Sequence, residues 1–140
     1  MIRVSVFNAH PRVRIRKAPV ARAVRRVLRG EGLTRATVNV VFIDRHHCRV
    51  INRRWLGHDT STDVISFPLE PDRLEGEVYV NLDRAGRQAR EYGVTRASEV
   101  ARLVIHGTLH LAGYDDTTKH SALVMRRKEE EALGDLAGRG

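Results

Sequence analysis

Apolar and polar positions change period along this chain, and the changes mark out its elements. Ile2, Val4 and Val6 alternate with Arg3 and Ser5 at the period of two of a half-buried strand, predicting a strand over residues 2–7. Residues 10–17 form a basic connection that includes His10. From Pro19 the spacing becomes helical. Val20, Val24, Val27 and Leu28 share one face, Arg22, Arg25, Arg26 and Arg29 lie largely off it, and Gly30 and Gly32 stop the helix. Residues 37–43 are a β-branched and aromatic run, the strongest strand signal in the chain. Asp44 can cap a helix that starts directly after it, in which Cys48, Ile51 and Trp55 recur at three and four residues. That spacing predicts a helix over 45–55, packed on the sheet, with Trp55 as a core anchor first and a base-stacking ring second. His46 and His47 read as surface residues.

A polar loop over 57–62 leads into a short strand over about 62–68, a turn at 70–73 and a fourth strand over 76–81. A helix over 83–92 stops at Gly93, and Thr95 can cap the next. On that next helix Val100, Val104 and Leu111 lie near one face, while Leu103, His106 and His110 follow an adjacent stripe. The two histidines are therefore expected at the border between core and cleft. A last helix is predicted over 118–133, with Leu123 marking its apolar side and Glu129-Glu130-Glu131 read as solvated. Residues 134–140 read as a frayed end. No repeat, linker or low-complexity tract divides the chain, so one domain over 1–140 is expected. The elements add up to an α+β fold, a mixed four-stranded sheet packed with about five helices.

Composition narrows the setting. No apolar run approaches the length of a membrane span, and no apolar stretch of signal-peptide length precedes Arg12, Arg14, Arg16 and Lys17, so a cytoplasmic protein with no membrane association is expected. Cys48 is the only cysteine, which rules out an internal disulfide and any zinc site built from several thiolates. The formal net charge of +8 is unevenly placed. Residues 1–60 carry 14 Lys+Arg against 3 Asp+Glu, whereas residues 61–140 carry 11 against 14. A basic half of this kind is a footprint for a polyanion, although solvated arginines on an Arg-rich surface would leave the same trace.

The chemistry concentrates in His106-Gly107-Thr108-Leu109-His110-Leu111-Ala112-Gly113-Tyr114-Asp115-Asp116. Two imidazoles four residues apart stand one helical turn apart on one face, within reach of a single cation such as Zn²⁺. Gly113 can take the left-handed conformation that turns the chain back, and Asp116 could thereby return to the histidines.

With these residues in view, the chain resembles the YbeY family of bacterial endoribonucleases, also called rRNA maturation factors, whose pattern is His-Gly-x-Leu-His-Leu-x-Gly-Tyr-Asp-His. The match runs through Asp115 and is supported by Asn52, residues 62–68, the Gly76-Glu77-Val78 strand start, Gln88-Ala89 and Tyr92-Gly93. The resemblance implies an α+β fold, one zinc ion and hydrolysis of single-stranded RNA in rRNA processing, with rRNA and the small ribosomal subunit as partners and maturation of the 16S rRNA 3′ end as the role. It makes His106 and His110 the first two zinc ligands. The family's last histidine is Asp116 here, and a carboxylate is also a zinc ligand, so His106, His110 and Asp116 form the expected set, with His120 as runner-up. An arginine that members often carry just beyond the helix-end Asn-x-x-Tyr segment aligns with Leu56, and Arg53 or Arg54 is the neighbouring replacement. Arg54, His58 and Asp63 are the candidate catalytic residues: Arg54 to stabilise developing charge, the other two to carry protons.

Two other readings compete. A zinc peptidase would share His-x-x-x-His, but its motif places Glu directly after the first histidine as general base, and that position is Gly107. An RNA- or ribosome-binding protein would use the metal only to staple the last helix to its neighbour.

Overall fold

The alternating runs become strands and the helically spaced runs helices, in the order β1 (Ile2–Asn8), α1 (Lys17–Gly30), β2 (Ala36–Ile43), α2 (Arg45–Leu56), β3 (Val64–Pro68), β4 (Leu74–Asn81), α3 (Leu82–Tyr92), α4 (Arg96–Leu111) and α5 (Lys119–Ala137). The computed structural model describes residues 1–57, 60–70 and 72–137. The turn expected at 70–73 and the loop at 57–62 lie partly outside the described residues, as do the last three positions of the chain.

The strands form one sheet in the order β1-β2-β4-β3. β1 and β4 run parallel to the central β2, and β3 pairs antiparallel with β4 at one edge. Parallel neighbours need crossover connections. α1 supplies the first, and α2 with β3 the second. This is the mixed sheet and α+β architecture expected.

Successive residues of each strand point to opposite faces of the sheet. Val38, Val40 and Phe42 of β2 and Val78 and Val80 of β4 join α1 and α4 in the main core. The other face carries a smaller cluster, Ile43, Cys48, Ile51 and Ile65, under α2. Cys48 is buried there, its thiol donating to the Thr62 carbonyl at 3.3 Å.

Most boundaries obey local chemistry. Asp44 caps α2 by accepting the His47 N–H at 2.7 Å, and Thr95 caps α4 by accepting the Ser98 N–H at 3.1 Å. α3 is capped by Asn81, which accepts from Arg84 N–H. Asp83 is thereby free to accept elsewhere, and it takes the ring of His10 and the Arg45 N–H, each at 2.9 Å. His10, only 3% exposed, also accepts the N–H groups of Arg12 and Val13 on Nδ1. The basic connection is thus pinned to the starts of α2 and α3.

Four expectations are corrected. Trp55 is 66% exposed and is no core anchor. α2 buries Cys48, Ile51 and Asn52 instead, and its last turn is exposed. Leu123 is 61% exposed; α5 turns Met125 and Glu129 inward, with Ala132 and Leu133 packed alongside. Glu129 is therefore not solvated, at 7% exposure, and α5 runs on to Ala137, four residues past its expected end.

Candidate metal centre

α4 presents its two histidines where it passes β3 and β4. The close passage depends on Gly107: a Cβ there would meet Val78 Cγ1 at 2.6 Å, Ser66 Oγ at 3.0 Å and Val64 Cγ2 at 3.2 Å. Its carbonyl accepts the Ser66 hydroxyl at 2.9 Å, which ties α4 to the edge strand. Position 107 thus faces the sheet. A glutamate here would be driven into the core, and the peptidase reading loses its general base for a steric reason as well as a sequence one.

The helix ends where Gly113, at φ +104°, reverses the chain, with the Tyr114 N–H bonded to the Leu109 carbonyl at 3.0 Å. The Tyr114 hydroxyl donates to Glu31 at 2.6 Å, and Lys128 of α5 reaches the same carboxylate at 3.2 Å. This anchors the turn against the end of α1, with Asp116 two residues further on.

His106, His110 and Asp116 converge, one ligand atom from each lying within 4.8 Å of the others. The two Nε2 atoms are 3.1 Å apart, and the Asp116 carboxylate oxygens stand 3.7 Å from that of His106 and 3.9 Å from that of His110. The carboxylate distances are too long for direct hydrogen bonds. They suit a shared ion: zinc bonds of about 2.0–2.2 Å at tetrahedral angles place ligand atoms about 3.3–3.6 Å apart. A few tenths of an ångström of adjustment separates the observed set from that geometry. The donor set and the spacing fit a metal ion.

The orientation of His106 has a cause that the sequence concealed. Its Nδ1 lies 2.7 Å from Glu129 Oε2, so the Nδ1–H donates to the buried carboxylate and Nε2 is left as the lone-pair nitrogen facing His110 and Asp116. Glu129 Oε1 in turn meets Arg102 at 3.4 Å, and Arg102 forks onto Glu99 at 2.9 and 2.5 Å. Gln88 donates to Glu99 at 2.7 Å, and Arg84 to Gln88 at 3.1 Å, which gives Gln88 a structural role. A polar chain therefore runs from α3 through α4 to α5 and ends on the His106 ring.

Burial alone would disfavour the protonated form of His106, but Glu129, with Asp116 and Asp63 beyond it, outweighs that and holds its pKa above the ordinary value. For His110, burial and the neighbouring His106 outweigh the opposing pull of Asp116 and push the pKa down. The site thus couples one imidazole braced by a carboxylate to a second that favours its neutral form.

The three side chains line a cleft of about 680 Å³, whose walls include Asn52, Leu56, Asp63, Ser66 and Leu111. Asn52 is buried and donates to the Thr60 carbonyl at 2.8 Å, holding Thr60 at the cleft wall. Asp63 accepts the Val64 N–H at 2.8 Å on Oδ1, and its backbone carbonyl accepts the Asn81 N–H at 2.9 Å. Leu56 stands on the cleft wall, the position at which the family resemblance calls for arginine. Arg54 is exposed on the last turn of α2, its guanidinium 5.7 Å from the Trp55 ring centroid and off the cleft wall. Arg53 is exposed beside it. His120, exposed on the first turn of α5, is not among the converging side chains, and His58 lies outside the described residues.

Glu129 was the functional residue hidden by its sequence context, an acidic triplet. The legible signal was helical spacing: Met125, Glu129 and Leu133 fall on one stripe, so an acidic residue interrupts an apolar face. An interruption of that kind demands a buried partner.

The family model for endoribonuclease YbeY matches residues 6–137. Among curated relatives, the endoribonuclease YbeY of Pelotomaculum thermopropionicum is 41% identical over 127 residues, 84% of each chain. That of Chlorobaculum parvum is 36% identical over 136 residues, 96% of each chain. The solution structure of a Thermotoga maritima protein superposes with a TM-score of 0.65 at 27% identity, covering 99% of this chain and 93% of its own. A match of this extent, on a chain whose His-Gly-x-Leu-His helix and Gly-Tyr-Asp turn build the convergent site, shows that the protein belongs to the endoribonuclease YbeY family.

Proposed function

We propose that this chain is a zinc-dependent endoribonuclease that cleaves single-stranded RNA during rRNA processing, with maturation of the 16S rRNA 3′ end on the small ribosomal subunit as its role. The observation that carries the reading is the convergence of His106, His110 and Asp116 on an open cleft. The relatives named as endoribonucleases supply the reaction class.

His106, His110 and Asp116 would hold the ion. Zinc bound there supplies Lewis-acid polarisation of the phosphodiester. The protein's own groups do the rest. Glu129 keeps His106 in the tautomer that exposes Nε2, and the Arg102–Glu99 pair keeps Glu129 in place. Asp63, on the cleft wall, is assigned the proton-carrying role, while its Val64 contact fixes its direction. Arg54 and Arg53, outside the cleft wall at the end of α2, are assigned to the flanking phosphates, for which a guanidinium is a good partner.

The test measures zinc content and cleavage of one structured RNA for wild type, His106→Ala, His110→Ala, Asp116→Ala and His120→Ala. Metal and cleavage should be lost together in the first three variants and kept in the fourth. Cleavage that survives loss of metal would refute the reading. Metal loss that only lowers the melting temperature, with no RNA cleaved by wild type, would favour the stapled RNA-binding protein.

A further inference from the structure

A second concavity lies on the other side of the last turn of α2. Ile51 and Trp55 form one wall, and Phe67, Pro68, Glu77 and Tyr79 the facing one, around about 300 Å³. That is the lower end of the range for small-molecule pockets. Leu56 faces the metal cleft, its neighbour Trp55 faces this groove, and Pro68 borders both. One strand of RNA can therefore meet the two cavities in succession.

The lining selects a particular occupant. Trp55 leaves two-thirds of its surface in water, a position that packing does not explain. Arg54 sits against its ring at 5.7 Å, so an aromatic face and a phosphate-binding cation share one turn of helix. That pairing is the one that single-stranded nucleic-acid sites use for a base and its backbone. Phe67 and Tyr79 meet edge to face at 5.8 Å and give the groove a firm apolar back. Its polar groups are Glu77 and the Tyr79 hydroxyl, which donates to Glu77 at 3.1 Å. The carboxylate is thus the acceptor available to an incoming base edge.

We propose that this groove receives one unpaired guanine of the RNA substrate, stacked on Trp55, with its N1–H and N2–H donors on the Glu77 carboxylate. Guanine offers two adjacent donors to a carboxylate. Uracil offers one N–H between two carbonyls and is disfavoured. This assignment rests on the reading of the chain as an RNA-cleaving enzyme and adds a base-recognition subsite to it.

Trp55 is the only tryptophan, so its emission reports the groove alone. The zinc-loaded protein is titrated with short guanine-bearing, uracil-bearing and abasic oligoribonucleotides, and binding is followed separately by anisotropy of an end label. Guanine oligomers should quench Trp55 strongly, uracil oligomers weakly, and abasic oligomers should bind without quenching. Trp55→Ala should raise KM for guanine-containing RNA about 5- to 150-fold, the loss of one base–aromatic stack, with kcat little changed. Trp55→Phe should recover most of that loss, and Glu77→Gln should abolish the guanine preference. Unchanged emission at RNA saturation, or an unchanged KM in Trp55→Ala, would overturn the proposal and assign the groove to a protein segment. Should wild type cleave no RNA, the endoribonuclease reading fails on its own, while the titration still decides whether a base stacks.

Discussion

Replacing Glu129 tests the metal centre without touching a ligand. Glu129→Ala removes a carboxylate that is 7% exposed and lies 2.7 Å from His106 Nδ1. A charge-assisted hydrogen bond of this kind is worth about 1.5–3 kcal/mol. Outer partners of metal-binding histidines change metal affinity by about 10- to 100-fold, or about 1.4–2.7 kcal/mol. The two ranges overlap near about 2 kcal/mol, so zinc affinity should fall about 30-fold. Arg102 keeps its two bonds to Glu99, so the substitution leaves no buried cation unpaired. Glu129→Gln should lie between, because one amide oxygen cannot serve both the His106 and the Arg102 donors. The assay is calorimetric zinc titration against a competing chelator, with urea unfolding of the metal-free variants as a check on the fold. A folded Glu129→Ala protein that binds zinc within about twofold of wild type would refute the bracing role.

Other substitutions probe separate links. Gly107→Ala forces a methyl group against Val78 and Ser66 and should destabilise the protein by about 1–3 kcal/mol, read as a lower urea midpoint at constant slope. Leu56→Arg places a guanidinium on the cleft wall and should raise kcat/KM on RNA by about tenfold or more, with metal content unchanged. Partial burial pushes the Asp83 carboxyl up, but N–H bonds from His10 and Arg45 outweigh it and hold it below the ordinary carboxylate value. A depressed carboxylate contributes stability above its unfolded-state pKa and loses it as pH falls through the folded value. Acid should therefore lower the urea midpoint of wild type more steeply, below the ordinary aspartate value of 3.8, than that of Asp83→Asn.

The elements were legible wherever a local rule governed them. β2 was written in β-branched residues, α2 and α4 in caps at Asp44 and Thr95, and α3 in the left-handed Gly93, and each began within a residue or two of its expected start. His106 and His110 were legible because a helix places them by spacing alone. The hidden features all depended on contacts between distant segments. Glu129 is buried because α5 docks on α4 and brings it to a histidine 23 residues away. His10 is buried because its ring meets Asp83, 73 residues on. Trp55 failed as a core residue for the converse reason. Its helical phase was right, but Trp55 borders an open groove beside the edge strand β3 instead of a packed surface, and periodicity carries no information about where packing stops.

That edge explains the division of labour in the site. β3 is a five-residue edge strand, so α4 can reach it from one face and α2 from the other while its end stays open to solvent. The groups that would set metal affinity lie inward along the packed α4–α5 contact, where the Glu129 side chain is 9% exposed. The groups assigned to RNA lie outward, and so do both departures from the family pattern: Leu56 is 47% exposed and the Asp116 side chain 49%. Metal retention and RNA handling should therefore vary independently. Substitutions at Leu56 or Trp55 should move KM and leave the zinc titration and the urea midpoint where they are. Substitutions at Glu129 should move the zinc titration first and cleavage only in proportion to metal lost. Asp116 alone belongs to both sets. Its replacement by histidine should tighten zinc and also alter the charge that an incoming phosphate meets, so both measurements should change there with the ion still bound.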